Sequence, residues 1–501
     1  MFTQFRQENA LKPSVAVIGT GPSGLTVTKS LVEHGLEPVV YDSAPAIGGM
    51  WGAPGRGAWA SGARTNLSCY CCAFSDFPWP QGTDIFPMRS SVIGYLNDYA
   101  QAFALHRYLR ICTTVELVEP AGEHRWNVTT CCDGVRETRC FDHVVVATGV
   151  FSRPFVPEFE GLEAFRGEVF HAADCYGEDV IRKNFSGKRV FIMGAAFSGT
   201  EIAGQLLGVA QSVTVGLRHP MWFLPRWIQP WSGAPRYPSD LVFYNRDPEN
   251  PMFASPRAYL LQVGGDPGKI SPELAFDDIA TAPLTVVTSD DFLQHVGAGR
   301  VRVKRSKAFA FDEKGVLYAD GSREDIDAVV MCTGYVSRLP FLRQDVLDTL
   351  AFDAFDQLQP VLLHKQVFHP RLPGLAFVGY YRGPYFPIME LHGRWVARVA
   401  AGELPLPSVD EMNVGVEAER RIRNRRPRPQ FPHGDFVRLA DGLAREVGAF
   451  PDCDVAESLI DRIKFGPVVS SQFRLCGPHA KPELATRILL ATPAPLLDGK
   501  K

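Results

Sequence analysis

The segment SVAVIGTGPSG, Ser14–Gly24, begins with an apolar run typical of a buried strand and continues into a GxGxxG turn. In this pattern Gly19 permits the tight turn, Gly21 lets the backbone approach a pyrophosphate, and Gly24 lets a helix pack closely on the strand. The predicted helix, Leu25 to His34, would offer its N-terminal amides to phosphates. Because strand, turn and helix follow in this order, the segment predicts a dinucleotide-binding βαβ unit.

An acidic residue ends the second predicted strand of this unit. Asp42 follows the strand Glu37 to Tyr41 and lies about 20 residues after Gly19, the usual position of the ribose-binding acid. A carboxylate accepts hydrogen bonds from a ribose 2′-hydroxyl and repels a 2′-phosphate, so the unit favours FAD or NAD over NADP. The N-terminal position and the glycine pair in IGGMW, Ile47 to Trp51, favour FAD.

The stretch VFIMGAAFSGTEIA, Val190–Ala203, carries a second, imperfect fingerprint. Gly194 and Gly199 keep the outer glycine positions, but Ala196 replaces the middle one. Arg218 ends the next predicted strand, at nearly the interval at which Asp42 follows its own turn. A guanidinium can bind a 2′-phosphate, so this unit predicts NADPH. We expect Ala196 to displace the pyrophosphate or weaken binding; the alternative is a degenerate repeat without a ligand.

Two further apolar runs end in Thr-Gly, at residues 144–149 and 329–334, and are typical of strands that return the chain between two nucleotide-binding domains. We therefore predict an α/β fold with two Rossmann-like domains. The NADPH-binding domain, residues 161–327 with an inserted segment at about 227–290, would interrupt an FAD-binding domain of residues 1–160 and 328–501. A C-terminal extension would begin at about residue 405.

Composition narrows the class of protein. The 501 residues are too many for one core, and a net charge of −3 gives no reason to expect nucleic acid binding. The chain lacks an 18-residue apolar run, and its N-terminus lacks an apolar signal-peptide core, so we expect a cytoplasmic protein without a membrane span. The eleven cysteines predict reduced thiols and no metal site, because the CxxC spacing of Cys69 and Cys72 has no second pair. A homodimer is one option for the oligomeric state.

Several motifs in order resemble those of the flavin-containing monooxygenases, which are class B flavoprotein monooxygenases. They include FxGxxxH at Phe165–His171, TN…FSDFP within Arg64–Pro78, and FGPVVSSQFRLCGP at Phe465–Pro478, which is similar to the tail of the animal-type enzymes. The resemblance runs from about Ser14 to Leu490, without the hydrophobic tail of membrane-bound members. Cys175 stands where the signature usually has an aromatic residue, so the motif does not assign a subclass.

The resemblance implies that NADPH reduces FAD, that O2 adds at flavin C4a, and that the resulting (hydro)peroxide oxygenates a small-molecule substrate at an amine nitrogen or a sulfide sulfur. Baeyer–Villiger oxidation of ketones and N-hydroxylation of a free amine stay open as alternatives. A flavin disulfide reductase and a non-catalytic nucleotide sensor are the rivals outside this class.

The resemblance also assigns roles to individual residues. Asn66 matches the family's active-site asparagine and is the expected catalytic residue, the alternative being a turn cap. We interpret His171 as a positioning residue and Glu201 as a structural residue near a helix N-terminus. His392 stands where the family usually has glutamine. The residues expected to bind FAD or NADPH are Gly19, Gly21, Pro22, Ser23, Gly24, Asp42, Gly49, Met50, Trp51, Thr65, Thr148, Gly149, Gly194, Ala196, Phe197, Ser198, Gly199, Arg218, Thr333, Gly334 and Tyr335.

Overall fold

A computed structural model describes residues 12–52, 64–122, 124–175 and 177–498. Its strands are β1 (Val15–Ile18), β2 (Val39–Tyr41), β3 (Leu109–Arg110), β4 (Thr114–Pro120), β5 (Trp126–Cys132), β6 (Val135–Phe141), β7 (His143–Val146), β8 (Arg153–Pro154), β9 (Glu168–His171), β10 (Arg189–Met193), β11 (Ser212–Leu217), β12 (Trp222–Leu224), β13 (Trp227–Ile228), β14 (Tyr237–Pro238), β15 (Val286–Thr288), β16 (Arg302–Arg305), β17 (Phe309–Phe311), β18 (Gly315–Tyr318), β19 (Arg323–Asp325), β20 (Ala328–Met331), β21 (Tyr335–Val336) and β22 (Leu375–Phe377).

The helices connect and cover these strands. They are α1 (Pro22–Glu33), α2 (Arg89–Ala102), α3 (Glu178–Phe185), α4 (Phe197–Leu206), α5 (Ser239–Phe243), α6 (Pro251–Ala254), α7 (Pro256–Gly264), α8 (Phe292–Gly297), α9 (Gln344–Thr349), α10 (Tyr385–Ala400), α11 (Val409–Asn424), α12 (Phe436–Glu446), α13 (Glu457–Phe465), α14 (Pro482–Ala491) and α15 (Pro495–Asp498).

The first sheet has the order β22-β7-β1-β2-β3, and all its strands are parallel. Every residue of β1 is buried, as expected for a central strand covered on both faces. Helix α1 packs against α10, where Gly393 allows close approach: a Cβ there would lie 3.0 Å from the Cα of Val27. This sheet holds the first glycine turn, between β1 and α1.

The second sheet has the order β16-β11-β10-β20-β9 and is also entirely parallel. Its glycine turn joins β10 to α4, so the two glycine turns occupy the same place in two similar sheets. The predicted α/β class with two Rossmann-like units is therefore confirmed.

Two segments carry the chain between the sheets. β7, in the first sheet, leads through residues 147–152 to β8, and β20, in the second sheet, leads to β21; β8 and β21 then pair antiparallel. The sequence pattern predicts that residues from 328 onward belong to the FAD-binding domain, but the strand Ala328–Met331 is hydrogen-bonded to β10. We therefore propose that the second domain ends after Met331.

A buried ionic cluster fixes the C-terminal region to the first domain. Asp76, from the FSDFP segment, accepts from Lys29 Nζ at 2.6 Å and Lys481 Nζ at 2.8 Å. Arg474 donates to Glu390 Oε1 at 3.1 Å. Because unpaired buried charges are costly, removing one partner would strongly destabilise this junction.

The structure corrects the expectation that all cysteines are reduced. Cys453 and Cys476 form a disulfide, with their Cα atoms 6.1 Å apart. The 23-residue separation matches no recognisable spacing motif, so this pair is not predictable from local sequence patterns. Among the described residues, no helix is both long enough and apolar enough to cross a membrane.

Candidate functional site

One cavity of about 2040 Å³ lies where the glycine turns of the two sheets face each other. Typical small-molecule pockets occupy about 300–1,000 Å³, so this cavity has room for more than one ligand. All the residues expected from the sequence to bind cofactor or substrate line it, except Gly24 and Gly199. These two lie behind the turns, where they pack each helix on its sheet.

The first cleft of the cavity is formed by the turn between β1 and α1. Gly19 has a φ of +112°, and a Cβ there would lie 2.6 Å from the carbonyl oxygen of Ala147, so glycine is required. A Cβ on Gly24 would lie 1.8 Å from the carbonyl oxygen of Gly19. No side chain caps α1 at Gly21, so its first amides remain available to a phosphate. The cleft fits the diphosphate of a dinucleotide.

The second cleft repeats this geometry around β10 and α4. Gly194 has a φ of +108°, and a Cβ there would lie 2.7 Å from the carbonyl oxygen of Cys332. A Cβ on Gly199 would lie 1.9 Å from the carbonyl oxygen of Gly194. Ala196 is the N-cap of α4, with φ −77° and ψ −167° and no side-chain cap. Because this backbone conformation is open to any residue, Ala196 keeps the turn and leaves the amides of α4 available.

The charges at the ends of the second strands differ between the clefts. Asp42, directly after β2, accepts at Oδ2 from Thr20 N and Thr20 Oγ1, both at 2.8 Å, and at Oδ1 from Ala44 N. Arg218, directly after β11, is exposed and makes no hydrogen bond or ion pair with any residue that the structure describes. The fixed carboxylate suits a ribose diol, and the unengaged guanidinium suits a 2′-phosphate.

Asn66 lines the cavity between the two clefts, and Arg226 of the second domain holds it there. Arg226 Nε donates to the carbonyl oxygen of Thr65 at 3.0 Å, and Nη2 approaches Asn66 Oδ1 at 3.4 Å. Arg226 is itself fixed by Asp290, whose Oδ2 lies 2.7 Å from Nη1. The expected catalytic residue is therefore anchored to the NADPH-binding side of the cavity.

Glu201 also lines the cavity, and the pKa of its carboxyl is raised. Burial raises the pKa of its carboxyl to about 7, with Asp291 and Asp290 raising it further and Arg226 opposing the shift. The sequence predicts a structural role for Glu201 near a helix N-terminus, and that position alone does not indicate a raised pKa. Partial burial disfavours the charged form of the carboxyl, and this is the largest cause of the shift.

His171 joins the second sheet to a linker between the domains. Its Nδ1 accepts from the amide of Ala173 at 3.1 Å, and its Nε2 donates to the carbonyl oxygen of Gly334 at 3.0 Å. Burial lowers the pKa of this imidazole, so the neutral form fits both bonds. Both ring nitrogens are occupied, which supports the positioning role. Cys175 is buried nearby, and burial raises its thiol pKa to about 12.

Other residues singled out from the sequence are poorly suited to titration or redox chemistry. His392 is fully buried in α10, does not line the cavity, and has its pKa lowered to about 3 by burial. Burial and Asp240 raise the pKa of the Cys69 thiol to about 12 and that of the Cys72 thiol well above its usual range. Thiols that stay protonated are poor redox nucleophiles, which argues against a disulfide reductase.

Sequence reasoning missed two carboxylates that hold this region. Asp290 fixes Arg226, and Asp240 accepts hydrogen bonds from the segment that carries Asn66. Neither lies in a motif with a known spacing, and both contacts join residues more than 60 positions apart in the chain. A sequence pattern does not reveal such pairs without the fold.

Comparison with known proteins agrees with this geometry. The family described as flavin-binding monooxygenase-like matches residues 12–494. Flavin-containing monooxygenase 5 of Mus musculus is 32% identical over 93% of this chain and 89% of its own length. Dimethylaniline monooxygenase [N-oxide-forming] 2 of Mus musculus is 31% identical, with the same coverage. The structure of S-allyl-L-cysteine S-oxygenase from Allium sativum aligns with a TM-score of 0.62 at 23% identity, covering 87% of this chain and 89% of that one.

The chain belongs to the flavin-binding monooxygenase-like family. It is a flavin-dependent monooxygenase with FAD and NADPH as its cofactors. The resemblance drawn from the motifs is thus confirmed, and so is the cofactor pair drawn from the opposite charges of Asp42 and Arg218.

Proposed function

We propose that this monooxygenase uses NADPH and O2 to oxygenate a soft nucleophilic heteroatom, an amine nitrogen or a sulfide sulfur, in a small-molecule substrate. The N-oxide-forming relative supports an amine as the substrate class. Bound FAD would accept hydride from NADPH and activate O2, as flavins do. The residues of the chain then have to bind, orient the substrate and exclude water.

The position of Asn66 carries this proposal. An amide both donates and accepts hydrogen bonds without titrating, so it suits a site where oxygen chemistry occurs near neutral pH. Arg226 occupies Asn66 Oδ1, which leaves the amide NH2 as a donor beside the cavity. We infer that Asn66 holds the substrate or the reactive oxygen in place at the junction of the two clefts.

The test is the oxidation of a panel of tertiary amines, sulfides and cyclic ketones by the purified FAD-loaded protein. We expect NADPH to bleach the flavin, and mass spectrometry to find N-oxides or sulfoxides with one added oxygen. Lactones formed from the ketones, with unchanged amines and sulfides, would replace the proposal with Baeyer–Villiger oxidation. A bound flavin that NADPH does not bleach would refute both.

Asn66→Ala tests the assigned residue. We expect flavin reduction to persist while the yield of oxygenated product per NADPH falls about 100-fold, the lower end of the rate loss caused by removing one stabilising donor. Hydrogen peroxide should account for the difference. Asn97→Ala is the matched control, because Asn97 is exposed on α2. Wild-type yield in Asn66→Ala would reduce Asn66 to a turn residue.

The individual cofactor contacts named from the sequence also belong to this proposal, because the geometry supports them without a bound ligand. The cytoplasmic location, a homodimer and the absence of a nucleic acid partner stay predictions from composition.

A further inference from the structure

A β-hairpin of the second domain is hydrogen-bonded at both of its ends to the segment that carries Asn66. This insert hairpin, residues 226–240, contains β13 and β14, and the amide of Ser239 donates to the carbonyl oxygen of Arg226 at 2.9 Å. Its two ends therefore lie side by side. Arg226 at one end reaches residues 65 and 66, and Asp240 at the other end reaches residue 68.

The contact at Asp240 is buried and doubly bonded. Asp240 Oδ2 accepts from Ser68 N at 2.9 Å and from Ser68 Oγ at 2.7 Å. Asp240 is 1% exposed and Ser68 is completely buried. Two donors from one residue to one oxygen fix both the backbone and the side chain of Ser68.

The first domain holds the other side of the same segment. The amide of Thr65 donates to the carbonyl oxygen of Pro87 at 2.9 Å, and the amide of Cys69 donates to that of Ile85 at 2.7 Å. The segment 64–72 is thus held between backbone bonds to the first domain and side-chain bonds to the insert hairpin. Asn66 lies between the two hairpin contacts, so its position relative to the NADPH cleft depends on both.

We propose that Asp240 is a positioning residue that fixes Asn66 relative to the NADPH-binding domain. It acts through Ser68, whose backbone and side chain it fixes. The proposal rests on the proposed function, because it gives Asn66 a part in oxygen transfer. Without the Asp240 contact, Arg226 would be the one remaining hairpin contact named here that holds the segment. Asn66 would then be positioned less precisely, and a larger share of the NADPH consumed would yield hydrogen peroxide.

The test compares Asp240→Ala, which removes the acceptor, with Asp240→Asn, which keeps a carbonyl oxygen for Ser68. In the protein without cofactors, hydrogen exchange should show faster exchange of the backbone of residues 64–72 in Asp240→Ala than in Asp240→Asn. With FAD, NADPH and a substrate found in the panel, Asp240→Ala should lower the product per NADPH at least fivefold, and by a larger factor than it lowers the flavin reduction rate. Asp240→Asn should restore the yield to within about twofold of wild type.

A double-mutant cycle separates this role from general loss of stability. Ser68→Ala removes one of the two bonds and should lower the yield by a smaller factor, with no further loss when it is combined with Asp240→Ala. Asp247→Ala is the control, since Asp247 is also buried in the insert but does not line the cavity; it should lower the melting temperature and leave the yield unchanged.

Wild-type yield and wild-type exchange in folded Asp240→Ala would overturn the proposal. If Asp240→Ala does not fold, an unchanged yield in Ser68→Ala overturns it equally. Failure of the proposed function looks different, because wild type itself would then form no oxygenated product.

Discussion

The two nucleotide clefts contain glycine turns of the same conformation, but they differ in the residues that lie over these turns. Gly19 and Gly194 have φ values of +112° and +108°, and both face a carbonyl oxygen at the end of a neighbouring strand. In the first cleft, the 3-10 turn Gly49–Trp51 lies on Gly21, and a Cβ there would meet the Cα of Gly49 at 3.4 Å. In the second, the corresponding Ala196 is exposed. The backbone demands glycine at the outer positions of both turns, whereas the middle position depends on what lies above it.

Substituting the last glycine of either turn, Gly24 or Gly199, should give the largest effects. Gly24→Ala would place a Cβ 1.8 Å from the carbonyl oxygen of Gly19, and Gly199→Ala would place one 1.9 Å from that of Gly194. We expect Gly24→Ala to be purified without flavin. Gly199→Ala should stay yellow but not be bleached by NADPH. Absorbance at the flavin band before and after adding NADPH measures both.

Gly94→Ala is the control for adding a methyl group to a helix. No atom of the residues that the structure describes lies within 4 Å of a Cβ at Gly94, so this variant should match wild type or be slightly more stable. If Gly199→Ala lost FAD as readily as Gly24→Ala does, the assignment of one cofactor to each cleft would be wrong.

Removing the charged residue that follows β11 should give the next largest effect. Arg218→Ala removes the unengaged guanidinium from the second cleft. We expect KM for NADPH to rise about 10- to 100-fold, the range for losing hydrogen bonds to a charged group, while KM for NADH changes little. Steady-state kinetics with both nucleotides measure this. His219→Ala, at the exposed neighbouring residue, is the control, and equal effects on both nucleotides would remove the 2′-phosphate argument.

A smaller effect concerns pH and is confined to the second cleft. Glu201 in α4 corresponds to Thr26 in α1, so the first cleft has no acid at this position. Burial raises the pKa of Glu201 to about 7 from its ordinary 4.5. A carboxyl with a raised pKa stabilises the folded state fully below its unfolded pKa and loses that contribution as pH rises through the folded value. Glu201 therefore weakens the fold between about pH 4.5 and 7.

Glu201→Gln should remove this dependence. At pH 8 we expect the cofactor-free variant to be more stable than wild type by on the order of 2 kcal/mol, with the difference closing at pH 5. Urea unfolding at the two pH values measures it. Glu178→Gln, at an exposed position of α3, controls for the loss of an acid as such. Parallel stability curves for Glu201→Gln and wild type would show that Arg226 keeps Glu201 ionised.

Local patterns in the sequence predicted the parts of this site that depend on neighbouring residues. The turns at Gly19 and Gly194, and the charges of Asp42 and Arg218, follow from strand and turn spacing within one βαβ unit. The contacts of Asp240, Asp290 and the Cys453–Cys476 disulfide join distant parts of the chain, so no periodicity marks them. A buried parallel strand has the same apolar pattern in either sheet, so the sequence alone does not assign β20 to one domain, and its hydrogen bonds to β10 support the proposed later boundary.

Substitution of Ala196 should give the smallest effect. It tests whether the middle position of a turn is limited by its backbone conformation or by the residues that lie over it. Its φ of −77° and ψ of −167° nearly match the −71° and −177° of Gly21, so restoring glycine changes no turn geometry. Ala196→Gly removes one methyl group from the edge of the cavity and lets a diphosphate approach the backbone more closely, so we expect KM for NADPH to fall about twofold, a gain of a few tenths of a kcal/mol from the closer contacts. Gly21→Ala should weaken FAD binding more, because its methyl group would contact the Cα of Gly49 at 3.4 Å and so has less freedom to shift than one at the exposed position 196. Fluorescence titration of FAD and steady-state kinetics with NADPH compare the pair. Small effects of equal size and opposite sign in the two variants would show that the residues over the first cleft are immaterial, and a large gain for Ala196→Gly would show that the methyl group obstructs NADPH directly.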